Sequence, residues 1–196
     1  MTVLTKIYDT PPTFSEKEAL RYAKVNSADD GIKELFQICK NETLSIFTYK
    51  VCYCKTEITV KDGICDFGFF NIHSRDLCKN LYGCSEALIL AATVGLPVDR
   101  LIAKYSRTSP SKALMIGAIG AERIEALCDR FTKDIEAEFS KKLRPRFSPG
   151  YGDLPLEAQN DIFRILDVSK KIGISLNKSM LMSPSKSVTA FIGIEK

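Results

Sequence analysis

The sequence predicts an α+β protein, a single mixed α/β domain, and three observations carry that prediction. The chain has 196 residues, enough for one core and cramped for two. Segments with helical apolar spacing and segments rich in β-branched residues follow one another only loosely. The run Ala87–Val94 (ALILAATV), set between Gly83 and Gly95, is apolar throughout and predicts a strand covered on both faces.

Taken in order, residues 13–25 read as a helix capped by Thr13 or Ser15. A second helix begins at Ser27–Asp30, where acids suit its N-terminus, and ends near Lys40. Thr43–Tyr53 is rich in Ile, Phe, Thr, Tyr and Val and predicts a strand. Glu57–Val60, the turn Lys61-Asp62-Gly63 and Ile64–Phe70 predict a hairpin with one wet face. Ser74 caps a short helix to Leu81, which Gly83 closes. Beyond the apolar strand, Gly95-Leu-Pro97 breaks the chain and a helix covers Pro97–Tyr105.

Ser109-Pro110 then opens a long helix reaching about Leu143, with Pro110 in its first turn. Leu114, Ala118, Ala121, Ile124, Cys128, Phe131 and Ile135 form its apolar stripe. Gly117 and Gly120 each cost about 1 kcal/mol against alanine inside a helix. They are read as close packing of this helix on the apolar strand, the alternative being close approach by a ligand or partner. The loop Arg146–Asp153 is stiffened by Pro145 and Pro149 and opened by Gly150 and Gly152. An amphipathic helix follows over Pro155–Lys171, with Ile162, Ile165, Leu166 and Val168 on one side and Gly173 at its end. A short strand, the turn Met182–Ser187 and a strand Val188–Ile194 complete the chain. The predicted division is a helix-and-strand part over about 1–108, the long helix over about 109–143, and a loop and C-terminal unit over about 144–196.

Composition narrows the function. A charged fraction of 27% and an apolar fraction of 45% are ordinary for a soluble globular chain. A net charge of +4 does not demand nucleic acid, and no apolar run approaches the roughly 20 residues of a membrane span. The N-terminus MTVLTKIYDTPPTF has no apolar secretory core. Seven cysteines, an odd number in apolar surroundings, predict reduced thiols and a cytoplasmic protein. Cys52 and Cys54 fall on one face of a strand, so burial is the expected reading rather than a metal pair. His73 is the only histidine, so neither a catalytic triad nor a histidine-rich metal site is expected.

The C-terminal quarter carries a resemblance. Arg146-Phe-Ser-Pro149-Gly150-Tyr151, then Gly173, then Leu176-Asn-Lys-Ser179-Met-Leu-Met182-Ser-Pro184-Ser-Lys-Ser187-Val188 stand in the order and spacing of one family. The segment resembles the activation domain of cobalamin-dependent methionine synthase, over about fifty residues. The resemblance implies a mixed sheet with long helices and a domain that holds S-adenosylmethionine over a corrin. It implies an electron supplied by flavodoxin or another donor, so that inactive cob(II)alamin is reductively remethylated. The cofactors carry that chemistry while the domain supplies position and electrostatics.

The same resemblance assigns the candidate site. Arg146 stands where the family binds the ligand carboxylate, chemistry that suits a guanidinium fork. Ser148 and Gly150 stand where the family uses loop backbone groups, and Tyr151 matches a corrin-facing tyrosine. Glu125 matches a helix glutamate that receives the ligand amine; the plainer reading is an exposed helix acid, as in a pair between Asp129 and Lys133. The plainer reading of Arg146 is a solvated cation in the basic run Lys141–Arg146. The family's N-terminal ligand aspartate has no match, and its last binding tyrosine would fall beyond Lys196. No catalytic residue or metal site is expected. Nor are a zinc-thiolate site, a folate barrel or a cobalamin module found in the sequence. The expected function is therefore a stand-alone reactivation subunit that meets cobalamin on a partner protein. The alternatives are a module serving another corrinoid methyltransferase, or an interaction protein of the same fold that binds no ligand.

Overall fold

The apolar run at Ala87–Val94 lies inside the main sheet of the computed structural model, which describes residues 2–25, 27 and 29–195. In chain order the first half supplies β1 (Leu4–Tyr8), α1 (Glu16–Tyr22), α2 (Asp30–Thr43), β2 (Tyr49–Glu57), β3 (Thr59–Lys61), β4 (Ile64–Asp66) and β5 (Asn71–His73). The middle supplies α3 (Arg75–Leu81), β6 (Glu86–Thr93), α4 (Pro97–Thr108) and α5 (Pro110–Phe139). The end supplies α6 (Ala158–Leu166), α7 (Val168–Ile172), β7 (Ser175–Leu176), β8 (Met182–Ser183) and β9 (Ser187–Ile194).

The main sheet has the order β1-β2-β6-β9. Lys50 faces Thr93 and Glu57 faces Glu86 across β2 and β6, while Glu86 faces Ile194 and Thr93 faces Ser187 across β6 and β9. The α+β class holds. The sheet, expected to be mixed, is antiparallel at every pairing.

Strand alternation explains why β6 is apolar on both sides. Leu88, Leu90 and Ala92 enter one core with Ile116, Ile119, Leu127 and Phe131 of α5. Ala87, Ile89 and Ala91 enter the other with Ile162, Leu166 and Val168. The sheet thus lies between two layers, α1, α2 and α5 on one face and α6, α7, α3 and the small sheet β3-β4-β5 on the other. All seven cysteines are free and buried. Cys52 and Cys54 share the second core with Cys65 and Cys78, as period-two alternation expects.

Several expectations are corrected. Ser15 caps α1 and Asp29 caps α2, but α2 continues past Lys40 to Thr43, whose hydroxyl donates back to the Cys39 carbonyl at 2.7 Å. Thr43 therefore closes a helix instead of opening a strand. The expected strand Ile64–Phe70 stops at Asp66, and β1 and β5 are additional. The helix expected over Pro155–Lys171 is two helices, because Asp167 adopts a left-handed φ of 50° between α6 and α7. On α5, Leu114 is 61% exposed and lies outside the apolar stripe. Gly120 gives close packing, but its nearest neighbours are Val98 of α4 and the Lys186 stem, and Gly117 faces Ile102 of α4. α5 ends at Phe139 with Ser140 left-handed, four residues short of the expected end.

Candidate functional site

Ser140 turns the chain off α5, and the next residues run back along the edge of β9. The Arg144 amide donates to Gly193 at 2.8 Å, and Phe147 and Phe191 exchange backbone hydrogen bonds at 2.9 Å in both directions. This pairing fixes the backbone on both sides of Arg146. Its guanidinium therefore meets α5, donating from Nη1 to Asp129 at 2.8 Å and from Nη2 to Glu125 at 2.7 Å. Glu125 and Asp129 stand one helical turn apart on α5, so one fork reaches both. Burial acts against the charge of Arg146, but the Cys128 sulfur and the two carboxylates outweigh it and raise its pKa above the ordinary value.

The rest of the loop is held by its own turns and by α3. The Tyr151 amide donates to the Ser148 carbonyl at 3.1 Å, and that of Gly150 to the Leu154 carbonyl at 2.9 Å. Gly152 has a φ of 55°, and a Cβ there would collide with the Asp76 carboxylate. Asp153 accepts from the Ser74 hydroxyl and from the amides of Arg75 at 2.8 Å and Asp76 at 3.2 Å. It thereby supplies a second acceptor at the start of α3, whose Leu77 amide already donates to the Ser74 hydroxyl. The Ser74 hydroxyl, with the two amides, holds the Asp153 carboxyl below the usual carboxylate range, against a smaller opposing effect of desolvation.

A cleft of about 550 Å³ opens over this arrangement, lined among others by Glu125, Asp129, Arg144, Arg146, Ser148 and Tyr151. Tyr151 is 61% exposed, its ring edge-on to Phe147 at 6.4 Å between centroids. A second cleft of about 670 Å³ shares Glu125, Asp129 and Arg146, and its far wall is the segment Thr10–Thr13 with Tyr22 of α1. That segment is fixed by a buried pair on α5. Arg123 donates to the Pro12 carbonyl at 2.7 Å, the Thr13 carbonyl at 2.8 Å and Glu122 at 2.6 Å, and Glu122 accepts from the Ser15 amide at 2.9 Å.

Of the five residues expected from the sequence, Arg146, Glu125, Ser148 and Tyr151 meet at the first cleft. Gly150 is not in its wall; it shapes the loop behind it, with a φ of 91°. Arg146 is not a solvated cation, since its side chain is 21% exposed and doubly paired. Asp129 pairs with Arg146 and not with Lys133. Sequence reasoning missed its place in the site, although its i+4 spacing from Glu125 was visible. It also missed the segment Thr10–Thr13, because nothing local joins that segment to α5. The basic run is largely compensated: Lys141 lies 3.6 Å from Glu86, Arg144 lies 3.2 Å from Glu195, and of the run's four cations only Lys142 forms no ion pair among the described residues. No group of three or more His, Cys, Asp or Glu among the described residues is placed to hold a metal ion.

The fold is thus that of an α+β domain that presents a charged, solvent-open cleft beside an exposed tyrosine. The chain belongs to the family described as vitamin B12 dependent methionine synthase, activation domain, whose profile matches residues 79–196. Across the whole fold it is similar to the crystal structure of the MetH reactivation domain bound to AdoHcy. The TM-score is 0.69 at 13% identity, with 98% of this chain and 78% of that chain covered. At that identity the likeness concerns the fold, and it extends over the N-terminal residues outside the family match. No curated protein matches the sequence.

Proposed function

We propose that residues 1–196 act as one unit, a separate reactivation subunit of vitamin B12-dependent methionine synthase. It binds S-adenosylmethionine at the Arg146–Tyr151 loop and presents it to cobalamin carried by a partner module. A flavodoxin-like or other donor supplies the electron, and the assembly works in the cytoplasm. The observation that carries the reading is the Arg146 fork set between two carboxylates on the wall of a cleft, in a chain of the activation-domain family.

The residues present fit the ligand. A cleft of about 550 Å³ lies within the range that small ligands fill. Arg146 is suited to a carboxylate, Glu125 to an ammonium group, and the backbone of Ser148 and Gly150 to polar groups at close approach. Tyr151 projects from the loop and offers a flat, apolar face to a macrocycle. S-adenosylmethionine supplies the transferable methyl group, and cobalamin supplies the metal that receives it. The chain itself orients the ligand and, once the partner has docked, excludes water. The domain is a component of a methyltransferase, with no catalytic residue assigned to it.

Calorimetry with S-adenosylmethionine tests the assignment. Losing a charged hydrogen bond costs about 1.5–3 kcal/mol, so Arg146→Ala is expected to weaken binding by roughly tenfold or more. Equal affinity in mutant and wild type rejects the assignment.

A further inference from the structure

From two thiols in contact beside a cationic cleft, we infer that Cys78 is a site of thiol–disulfide exchange with small anionic disulfides, and that Cys65 is the thiol that resolves the adduct. The inference does not depend on the ligand reading above, and it concerns α3 and the small sheet.

A short return of the chain brings the pair together. β4 and β5 pair so that Cys65 faces Ile72. The Ser74 amide then donates to the Gly63 carbonyl at 3.1 Å, which holds the start of α3 against the turn between β3 and β4. Cys78 lies one helical turn beyond Ser74, and its sulfur comes to 3.2 Å from that of Cys65. A disulfide needs about 2.05 Å between its sulfurs, so a shift of about 1 Å closes the bond. No other pair of cysteine sulfurs among the described residues is in hydrogen-bonding contact.

The two thiols differ in access. Cys65 has no exposed surface, whereas Cys78 is 8% exposed and lines a cleft of about 570 Å³ with Lys61, Gly63, Arg75, Lys79 and Tyr82. Burial, with the hydrogen bond to Cys78, raises the Cys65 pKa, so Cys65 keeps its proton while Cys78 meets the reagent. The cleft selects that reagent by charge. Lys61, Arg75 and Lys79 stand in its wall against one acid, Asp62. Lys79 is engaged by Asp76 at 2.8 Å, but Lys61 and Arg75 form no ion pair among the described residues. Reactive cysteines occupy electropositive, partly exposed surroundings, and a cluster of cations raises the local concentration of an anion. A disulfide whose carboxylates outnumber its ammonium groups fits both conditions.

The exchange balances without a further oxidant. Cys78 releases its proton to water and its sulfur attacks one sulfur of the reagent, whose S–S bond breaks and whose other half leaves as a thiol. Cys65 then loses its proton and attacks the Cys78 sulfur, and the second half of the reagent leaves as a thiol. Two protein thiols are oxidised and one reagent disulfide is reduced. The new bond ties β4 to α3, whose first amides are held by Asp153 of the loop.

The test treats the full reduced chain with glutathione disulfide, which is anionic, or cystamine, which is cationic, and follows intact mass and peptide maps. Wild type is expected to end with a Cys65–Cys78 disulfide and no attached glutathione. Cys65→Ala is expected to stop with one glutathione on Cys78, and Cys78→Ala to react at neither position. Relative to their rates with the urea-unfolded chain, glutathione disulfide is expected to react faster than cystamine at low salt. Lys61→Gln combined with Arg75→Gln is expected to slow glutathione disulfide by roughly tenfold there and to match wild type at high salt. Attachment first at another cysteine, a wild type that stops at a mixed disulfide, or a folded chain that stays reduced while the unfolded chain reacts overturns the inference. Equal relative rates for the two probes overturn the choice of reagent, and the inference with it. Mapping of wild type alone locates the linkage, so the result does not depend on the folding of any variant.

Discussion

Arg123 is the largest side chain in the molecule that is fully buried, 1% exposed beside Glu122 at 3%. A buried charge is tolerable when its partner and hydrogen bonds are complete, and here the fork is spent on Glu122 and on the carbonyls of Pro12 and Thr13. Arg123→Met leaves Glu122 buried and unpaired and is expected to cost about 3–5 kcal/mol in urea unfolding; a midpoint within error of wild type would show that water compensates Glu122. The thiols make a second prediction at this scale. Burial pushes Cys39 and Cys54 up to about 11 and Cys52 and Cys128 up to about 12, from an ordinary value of 9.0. The folded state therefore holds protons that the unfolded state releases. The stability this contributes is complete below about pH 9 and is lost as pH rises towards 12. The unfolding midpoint is expected to fall between pH 8 and pH 10, and an unchanged midpoint would contradict it. Residues of these two kinds differ in legibility. The buried cysteines were readable from apolar neighbours and strand alternation. Arg123 was not, since the carbonyls it binds lie more than a hundred residues away.

The loop Arg146–Asp153 and α3 behave as one element, because Asp153 closes the start of α3. With its pKa depressed in the folded state, the Asp153 contact contributes above the unfolded carboxylate value near 3.9 and is lost as pH falls through the lower, folded value. Asp153→Asn is expected to speed amide exchange at Arg75 and Asp76 at neutral pH, and exchange that matches wild type would mean that Ser74 alone suffices as cap. Gly152→Ala is expected to destabilise the same latch through its left-handed φ and the collision with Asp76. Elements with strong local signals were legible: α3 with its Ser74 cap, α4 and α5 with proline at the first position, and β6 by its apolar run. β1 was not. Its sequence LTKIY lies on the sheet edge with a mostly exposed pattern, and pairing with β2 decides its state. The break between α6 and α7 was equally silent, because the apolar spacing runs through Asp167 without interruption. With α5 closing at Phe139, the charges of the basic run Lys141–Arg146 lie beyond its last turn, and three of them form ion pairs with acids.

For the molecule as a whole, the family match begins at Lys79, inside α3, yet the core does not divide there. β2 lies within the N-terminal part and pairs with β6 along its full length, from Lys50–Thr93 to Glu57–Glu86. α1 and α2 bring Ala19, Phe36 and Cys39 into the core that α5 shares with β6. Both faces of β6 were legible as buried, but the strand that covers its edge was not, because β2 and β6 are separated by a hairpin and a helix with their own local patterns. A fragment of residues 79–196 would retain Arg146, Glu125 and the whole loop. It would also expose the backbone edge of an almost wholly buried strand, a template for pairing between copies. It would lose Phe36, Tyr49, Val51 and Tyr53 from one core and Cys52, Cys54, Cys65 and Phe67 from the other. Removing buried aromatic side chains one at a time costs about 3–5 kcal/mol each, and a whole domain is stable by only about 5–15 kcal/mol. The fragment is therefore expected to aggregate or to lack a cooperative unfolding transition, measured by size-exclusion chromatography and circular dichroism against the full chain. A monomeric 79–196 fragment that unfolds cooperatively and binds S-adenosylmethionine with the full chain's affinity would show that the family-matched part carries its own core.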